Sequence, residues 1–133
     1  MVNTTSGLKN INLLTKEQFD GISDLASDEL YAVSGSGIGF PGSSYEDLTL
    51  GASGSTYTAP ANGYFYINKL TANTNQYIDI NNNTKKYGIQ EHAYVSGAGI
   101  KMITPVQKND SVTISYSASG ATNTFRFIYA EGE

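Results

Sequence analysis

The 133-residue chain contains no cysteine and no tryptophan, one histidine and three prolines. Each scarcity removes a class of function. Without cysteine there are no disulfides and no thiolate metal sites, so stability must come from core burial, helped by association between chains. A lone histidine, His92, supplies neither the ligand set of a zinc site nor the base of an organised triad, and reads as a loop or strand-edge residue. Eight basic residues stand against twelve acidic ones, a net charge of -4. That balance gives no electrostatic reason to approach phosphate backbones or anionic lipid, so neither nucleic acid nor membrane is expected as a partner. No apolar run approaches the ~20 residues of a bilayer span, and Met1-Val2-Asn3-Thr4-Thr5 lacks the basic and apolar parts of a secretory signal. The chain reads as soluble and unprocessed.

What the sequence does have is rings and β-branched residues. Hydrophobic residues make up 39% of the chain, with ten tyrosines and five phenylalanines. At this length that supports one core and a small appendage. The appendage is residues 1–34. In "LTKEQFDGISDLASDELYAVS", Thr15 and Gln18 fit a capping box, with Leu14 and Phe19 as its apolar staple, and Gly21 keeps the helix short. Flanked by "INLL" and "LYAV", the unit reads as a small β-α-β module. Residues 35–44, rich in glycine and serine, read as a linker. A phosphate-cradling loop would need a helix and usually a lysine after it, and neither follows.

Residues 45–133 carry all-β grammar: short apolar and aromatic runs bounded by glycine, asparagine and serine clusters. Phe65 and Ile67 alternate with Tyr64 and Tyr66; Phe125, Phe127 and Tyr129 share a face, as do Val112, Ile114 and Tyr116. Seven or eight strands in such a length imply a sandwich or barrel. Several of these strands are bulky on both faces, although a solvated sheet face is normally polar. The pattern implies that the outer face of one sheet is covered by another chain.

Enzymatic chemistry has little foothold. Asp79, Glu91 and Asp110 are the carboxylates available as an acid-base pair, but nothing around them organises one. Asp24, Asp28 and Glu29 lack the alternating loop and central glycine of a calcium site. No enzyme activity and no cofactor or metal is expected. The amides of Asn75, Gln76, Asn82 and Asn83, with Tyr87 and His92, combine hydrogen-bonding groups and ring faces in the way a sugar surface requires, and are the candidate receptor contacts.

Two resemblances follow. "STYTAPANGYFYINK", "VQKNDSVTISYSASG" and "TFRFIYAEG", in that order, resemble the trimeric jelly-roll heads of the complement and tumour-necrosis-factor superfamily. The matching positions are Tyr57, Ala59, Pro60, Gly63 and Phe65, then Asp110 and Val112, then Phe125, Phe127 and Tyr129. Asn109 departs from the family's usual glycine. Leu14, Thr15, Phe19, Asp20, Leu30, Tyr31 and Val33 are similar to a short module of bacteriophage tail fibres and head fibres. Together the resemblances imply a mainly β chain, a homotrimeric jelly-roll β-sandwich head on an N-terminal attachment module. In the family, the sheet containing the Gly63 strand and the last strand packs around a threefold axis. That implies Tyr64, Phe65, Tyr66, Tyr116, Phe127 and Tyr129 as interface candidates, and Leu14, Phe19, Leu30, Tyr31 and Val33 as attachment candidates.

The role so implied is a non-enzymatic head-fibre, decoration or fibre-tip protein of a bacteriophage, assembled in the host cytoplasm and located on the virion. Its partners would be itself, other virion proteins and a host-surface glycan. A receptor- or carbohydrate-binding adhesin is the alternative, and a polysaccharide-cleaving enzyme a more distant one.

Overall fold

A computed structural model describes residues 10–14, 17, 20–21, 29–33 and 39–133. The chain divides into two compact units, 1–37 and 38–133. In the first, strands β1 (Asn10–Leu14) and β2 (Glu29–Val33) pair in parallel, with Leu14 opposite Val33 and Ile11 opposite Leu30. Parallel neighbours need a crossover between them, which fits the long separation of the two strands. Glu17 and Asp20 have helical backbone geometry, and Gly21 N donates to Glu17 O at 3.1 Å. The rest of the expected helix, Phe19 included, lies outside the described residues.

The second unit is two antiparallel four-stranded sheets. Its strands are β3 (Pro41–Asp47), β4 (Ser55–Thr58), β5 (Gly63–Leu70), β6 (Gln76–Asn82), β7 (Tyr87–Ala93), β8 (Gly99–Val106), β9 (Ser111–Tyr116) and β10 (Thr122–Ala130). One sheet has the order β3-β10-β5-β8 and the other β4-β9-β6-β7. Only the β6–β7 hairpin stays within a sheet; every other connection passes from one sheet to the other. Residues 41–44, expected in the linker, are strand. Proline and glycine are admissible there because β3 is an edge strand, and Gly42 lets the backbone run close to β10: a Cβ on it would sit 3.0 Å from Tyr129 O.

Alternation sets the core. Phe65, Ile67, Ile100, Met102, Phe125 and Phe127 point inward from one sheet, and Ile78, Ile80, Val112 and Ile114 from the other. Each such side chain contributes roughly 1.5–3 kcal/mol by burial. The rings interlock edge to face: Phe65 and Phe127 lie 5.3 Å apart at 76°, Tyr57 and Phe125 4.9 Å apart at 70°. Among the described residues, three with side chains take the left-handed region, Asn75, Lys86 and Asn109, where φ is 55°, 62° and 70°. Asparagine tolerates that region better than most side chains, which gives a backbone reason for Asn109 where a glycine would also serve.

Candidate interaction surfaces

The cross-strand register aligns two rows on the outer face of the β3-β10-β5-β8 sheet. One is Tyr45, Ile128, Tyr64, Pro105; the next is Asp47, Arg126, Tyr66, Ile103. The face is therefore ring and aliphatic carbon over most of its width. The cation within these rows is neutralised in place: Arg126 Nη2 lies 2.9 Å from Asp47 Oδ1, and its guanidinium sits 4.1 Å from the Tyr45 ring centroid; a further row outward, Lys101 pairs with Asn68 and is exposed. Tyr64 Oη donates to Gly39 O at 2.5 Å. Ile103 is 47% exposed and Tyr45 55%. An apolar face of this kind on a wet sheet departs from the usual polar alternation.

The opposite sheet presents a different outer face. Thr56, Thr113, Asn81 and Gly88 form one row across β4, β9, β6 and β7, and Ser115, Asp79 and Gln90 another. Thr56 and Thr113 hydroxyls lie 3.1 Å apart, and Asn81 Nδ2 donates to Asp79 Oδ2 at 2.5 Å. At one end of this polar face three rings gather: Tyr77 and His92, opposite each other in the register, have centroids 5.7 Å apart, and Tyr94 lies 6.1 Å from His92 with its plane only 16° away.

Of the interface candidates, Tyr64 and Tyr66 lie on the apolar outer face. Phe65 and Phe127 do not: they are 1% and 0% exposed within a single chain, because their strand parity turns them toward the other sheet. Tyr116 is half-buried, donates to Gly51 O at 2.8 Å and carries Lys69 Nζ 5.0 Å above its ring. Tyr129 packs edge-on against Phe127 at 5.1 Å. These four are occupied inside the sandwich or at its rim. Ile128, Ile103, Tyr45 and Pro105 complete the face in their place; the alternation of Ile128 with Phe127 and Tyr129 was the available signal.

The receptor candidates also separate. Gln76 is 7% exposed and works as an internal brace: its Oε1 accepts from Ala72 N at 2.9 Å and Asn73 N at 3.1 Å, and its Nε2 donates to Ser119 Oγ at 2.9 Å. Asn82 is equally internal, paired with Asp110. Asn83 is exposed and donates to Thr113 Oγ1 at 2.8 Å. Tyr87 donates its hydroxyl to Pro105 O, bridging β7 and β8. Asn75 and His92 are exposed. Of the attachment candidates, Leu14 lies in β1 and Leu30, Tyr31 and Val33 in β2.

The carboxylates do not converge. Asp79 pairs with Gln90 while Ile78 pairs with Glu91, so Asp79 and Glu91 take opposite faces of their sheet. Asp110 is buried at the far end of β9. Among the described residues there is no group of three or more His, Cys, Asp or Glu that could hold a metal, and no helix long and apolar enough to cross a membrane. Compared with family models, with curated proteins and with solved structures, the chain matches none.

Proposed function

We propose that this chain is a non-enzymatic structural protein of a bacteriophage virion: a head-fibre, decoration or fibre-tip component with a trimeric jelly-roll head, held to the particle by its N-terminal module. The observation that carries the reading is the outer face of the β3-β10-β5-β8 sheet, where Tyr64, Tyr66, Ile103 and Ile128 stand side by side. A second chain covering that face would bury its rings and leave the polar face of the other sheet in water. The strand orders of the two sheets, with every connection but one crossing between them, support the jelly-roll assignment. The virion role rests on the resemblance of the N-terminal residues to fibre modules and of the β segments to trimeric heads. A head without disulfides gains its cohesion from such a seam, and three copies multiply weak surface contacts through effective concentration.

The test is the solution mass of the intact chain by sedimentation equilibrium. Three times the 14.2 kDa of one chain is expected at micromolar concentration. A single-chain mass would overturn the assembly and with it the reason for the apolar face.

A further inference from the structure

We propose that Tyr77, His92 and Tyr94, with the side chains of Asp79 and Gln90 beside them, form a binding shelf for an uncharged oligosaccharide. The site lies on the sheet opposite the one assigned to self-association, so it stands whether the chain is single or assembled.

Strand pairing alone accounts for part of the arrangement. A cross-strand Tyr77–His92 pair stabilises its hairpin by about 0.2–1 kcal/mol. It does not account for Tyr94, which lies beyond the end of β7, is 72% exposed and has no partner for its hydroxyl among the described residues. Nor is Tyr94 on a slack loop. Residues 95–98 are tied to one buried threonine: Thr71 Oγ1 donates to Val95 O at 2.8 Å, Ala98 N donates to Thr71 Oγ1 at 3.1 Å, and Gly97 N donates to Thr71 O at 2.8 Å. Ser96 Oγ donates to Ala72 O at 2.8 Å. A tyrosine left in water on a loop braced this heavily is held ready for a partner, because the ordering cost has been met before binding.

The surroundings select the ligand. Ring faces accept the C–H faces of a pyranose, and the row next to the rings supplies polar groups for its hydroxyls. His92 Nε2 and Gln90 Oε1 lie 3.1 Å apart, so the Gln90 amide is oriented by the ring it flanks. Asp79 accepts from Asn81 through one oxygen and keeps the other for a sugar hydroxyl. No lysine or arginine occurs in 71–84, 87–100 or 111–125. Lys69, at this end of the fold, is buried and donates to Gly120 O at 2.7 Å and Thr122 Oγ1 at 3.1 Å. Lys101, exposed at the same end, points outward from the other sheet. With the Asp79 carboxylate and no cation on its own face, the shelf disfavours sialylated, phosphorylated or uronic acid chains. Three rings also make a patch far smaller than the roughly 800 Å² per partner of a stable protein interface.

Position adds to the argument. The pairings of Pro41 with Ala130, Gly63 with Val106 and Leu70 with Gly99 put the start of β3 at one end of the sandwich and the loops 71–75 and 94–98 at the other. The shelf faces outward at the end remote from where the chain enters the head.

The test uses the full chain on an array of neutral and anionic bacterial polysaccharides, followed by amide chemical-shift titration with oligosaccharides cut from the retained polymers. Retention of neutral polymers is expected, with shifts centred on Tyr77, Gln90, His92 and Tyr94. Tyr94→Ser should weaken binding about tenfold at an unchanged melting temperature, since its ring touches little of the fold. Thr58→Ala, exposed on the same face at its opposite end, should leave binding unchanged. A silent array, preferential retention of anionic polymers, shifts centred elsewhere, or equal affinity in Tyr94→Ser would each overturn the proposal.

Discussion

Asn82 and Asp110, separated in the chain by the whole of β7 and β8, meet inside the sandwich: Asn82 Nδ2 donates to Asp110 Oδ2 at 2.9 Å, with 2% and 3% of the two residues exposed. Both are polar, both are buried, and each also finishes a turn. Asp110 Oδ2 accepts from Gln107 N at 3.0 Å, and Asn82 Oδ1 accepts from Lys85 N at 2.8 Å. The pair therefore fixes the β6–β7 and β8–β9 turns against each other. Lys85 Nζ, 3.9 Å from Asp110 Oδ1 on a side chain 45% exposed, is at the limit of ion-pair distance and adds little.

Asp110→Ala should lower stability by roughly 2–4 kcal/mol, because it strands the Asn82 amide and the Gln107 N–H without acceptors. Asp110→Asn, which keeps one carbonyl oxygen of similar placement, should lose about half as much. Urea denaturation of the two variants checks the ordering; equal midpoints for Asp110→Ala and the parent chain would contradict the bracing role.

Two glycines give opposite expectations. A Cβ on Gly63 would lie 2.2 Å from Ile128 O and 2.8 Å from the Phe127 ring, so backbone and core stand in its way. Gly63→Ala should cost at least about 3 kcal/mol. On Gly88 the nearest obstacle is the Asn81 side-chain oxygen at 2.1 Å, the end of an exposed side chain that can rotate away, with Ile80 O beyond that side chain at 3.1 Å. Gly88→Ala should cost under about 1 kcal/mol. Thermal midpoints of the pair decide it, and similar losses would be inconsistent with these packing distances.

Much of this architecture was legible in period-two patterning. Phe65 with Ile67, Ile78 with Ile80, and Phe125 with Phe127 each declare a shared face by spacing alone, and all of them are core. Spacing does not say which of two bulky faces is the inner one; that depends on the partner sheet, which is why Phe65 and Phe127 could be taken for seam residues. Gln76 and Asn82 resemble loop amides in sequence, and their burial becomes intelligible only when loops remote in the chain offer them backbone groups to bind. The start of β3 looked like linker because "PGSS" has no strand propensity, and its pairing is imposed by β10. The Tyr77–His92–Tyr94 shelf depends on the β6–β7 register, which residue types alone do not specify.

Neighbouring residues of β10 separate folding from assembly. Phe127→Ser removes a fully buried ring and should destabilise the head by about 3–5 kcal/mol, with loss of near-ultraviolet circular dichroism. Ile128→Glu places a charge on the outer face, leaves the core intact and should yield folded single chains. Light scattering together with circular dichroism distinguishes the outcomes. An assembled Ile128→Glu variant would move the seam away from this sheet.

Thr71 offers a probe of rigidity that never touches a ligand. Thr71→Val keeps the shape of the side chain but removes the hydroxyl that binds Val95 O and Ala98 N. The fold should lose about 1–3 kcal/mol locally, and exchange of the Ala98 amide with solvent deuterium should accelerate by at least tenfold. Tyr94 would remain in place but on a looser loop. If preorganisation contributes to oligosaccharide affinity, Thr71→Val should weaken binding while Tyr94, His92 and Tyr77 are all still present. Faster exchange with unchanged affinity would show that the rings act without the brace, and that the Thr71 network serves the fold alone.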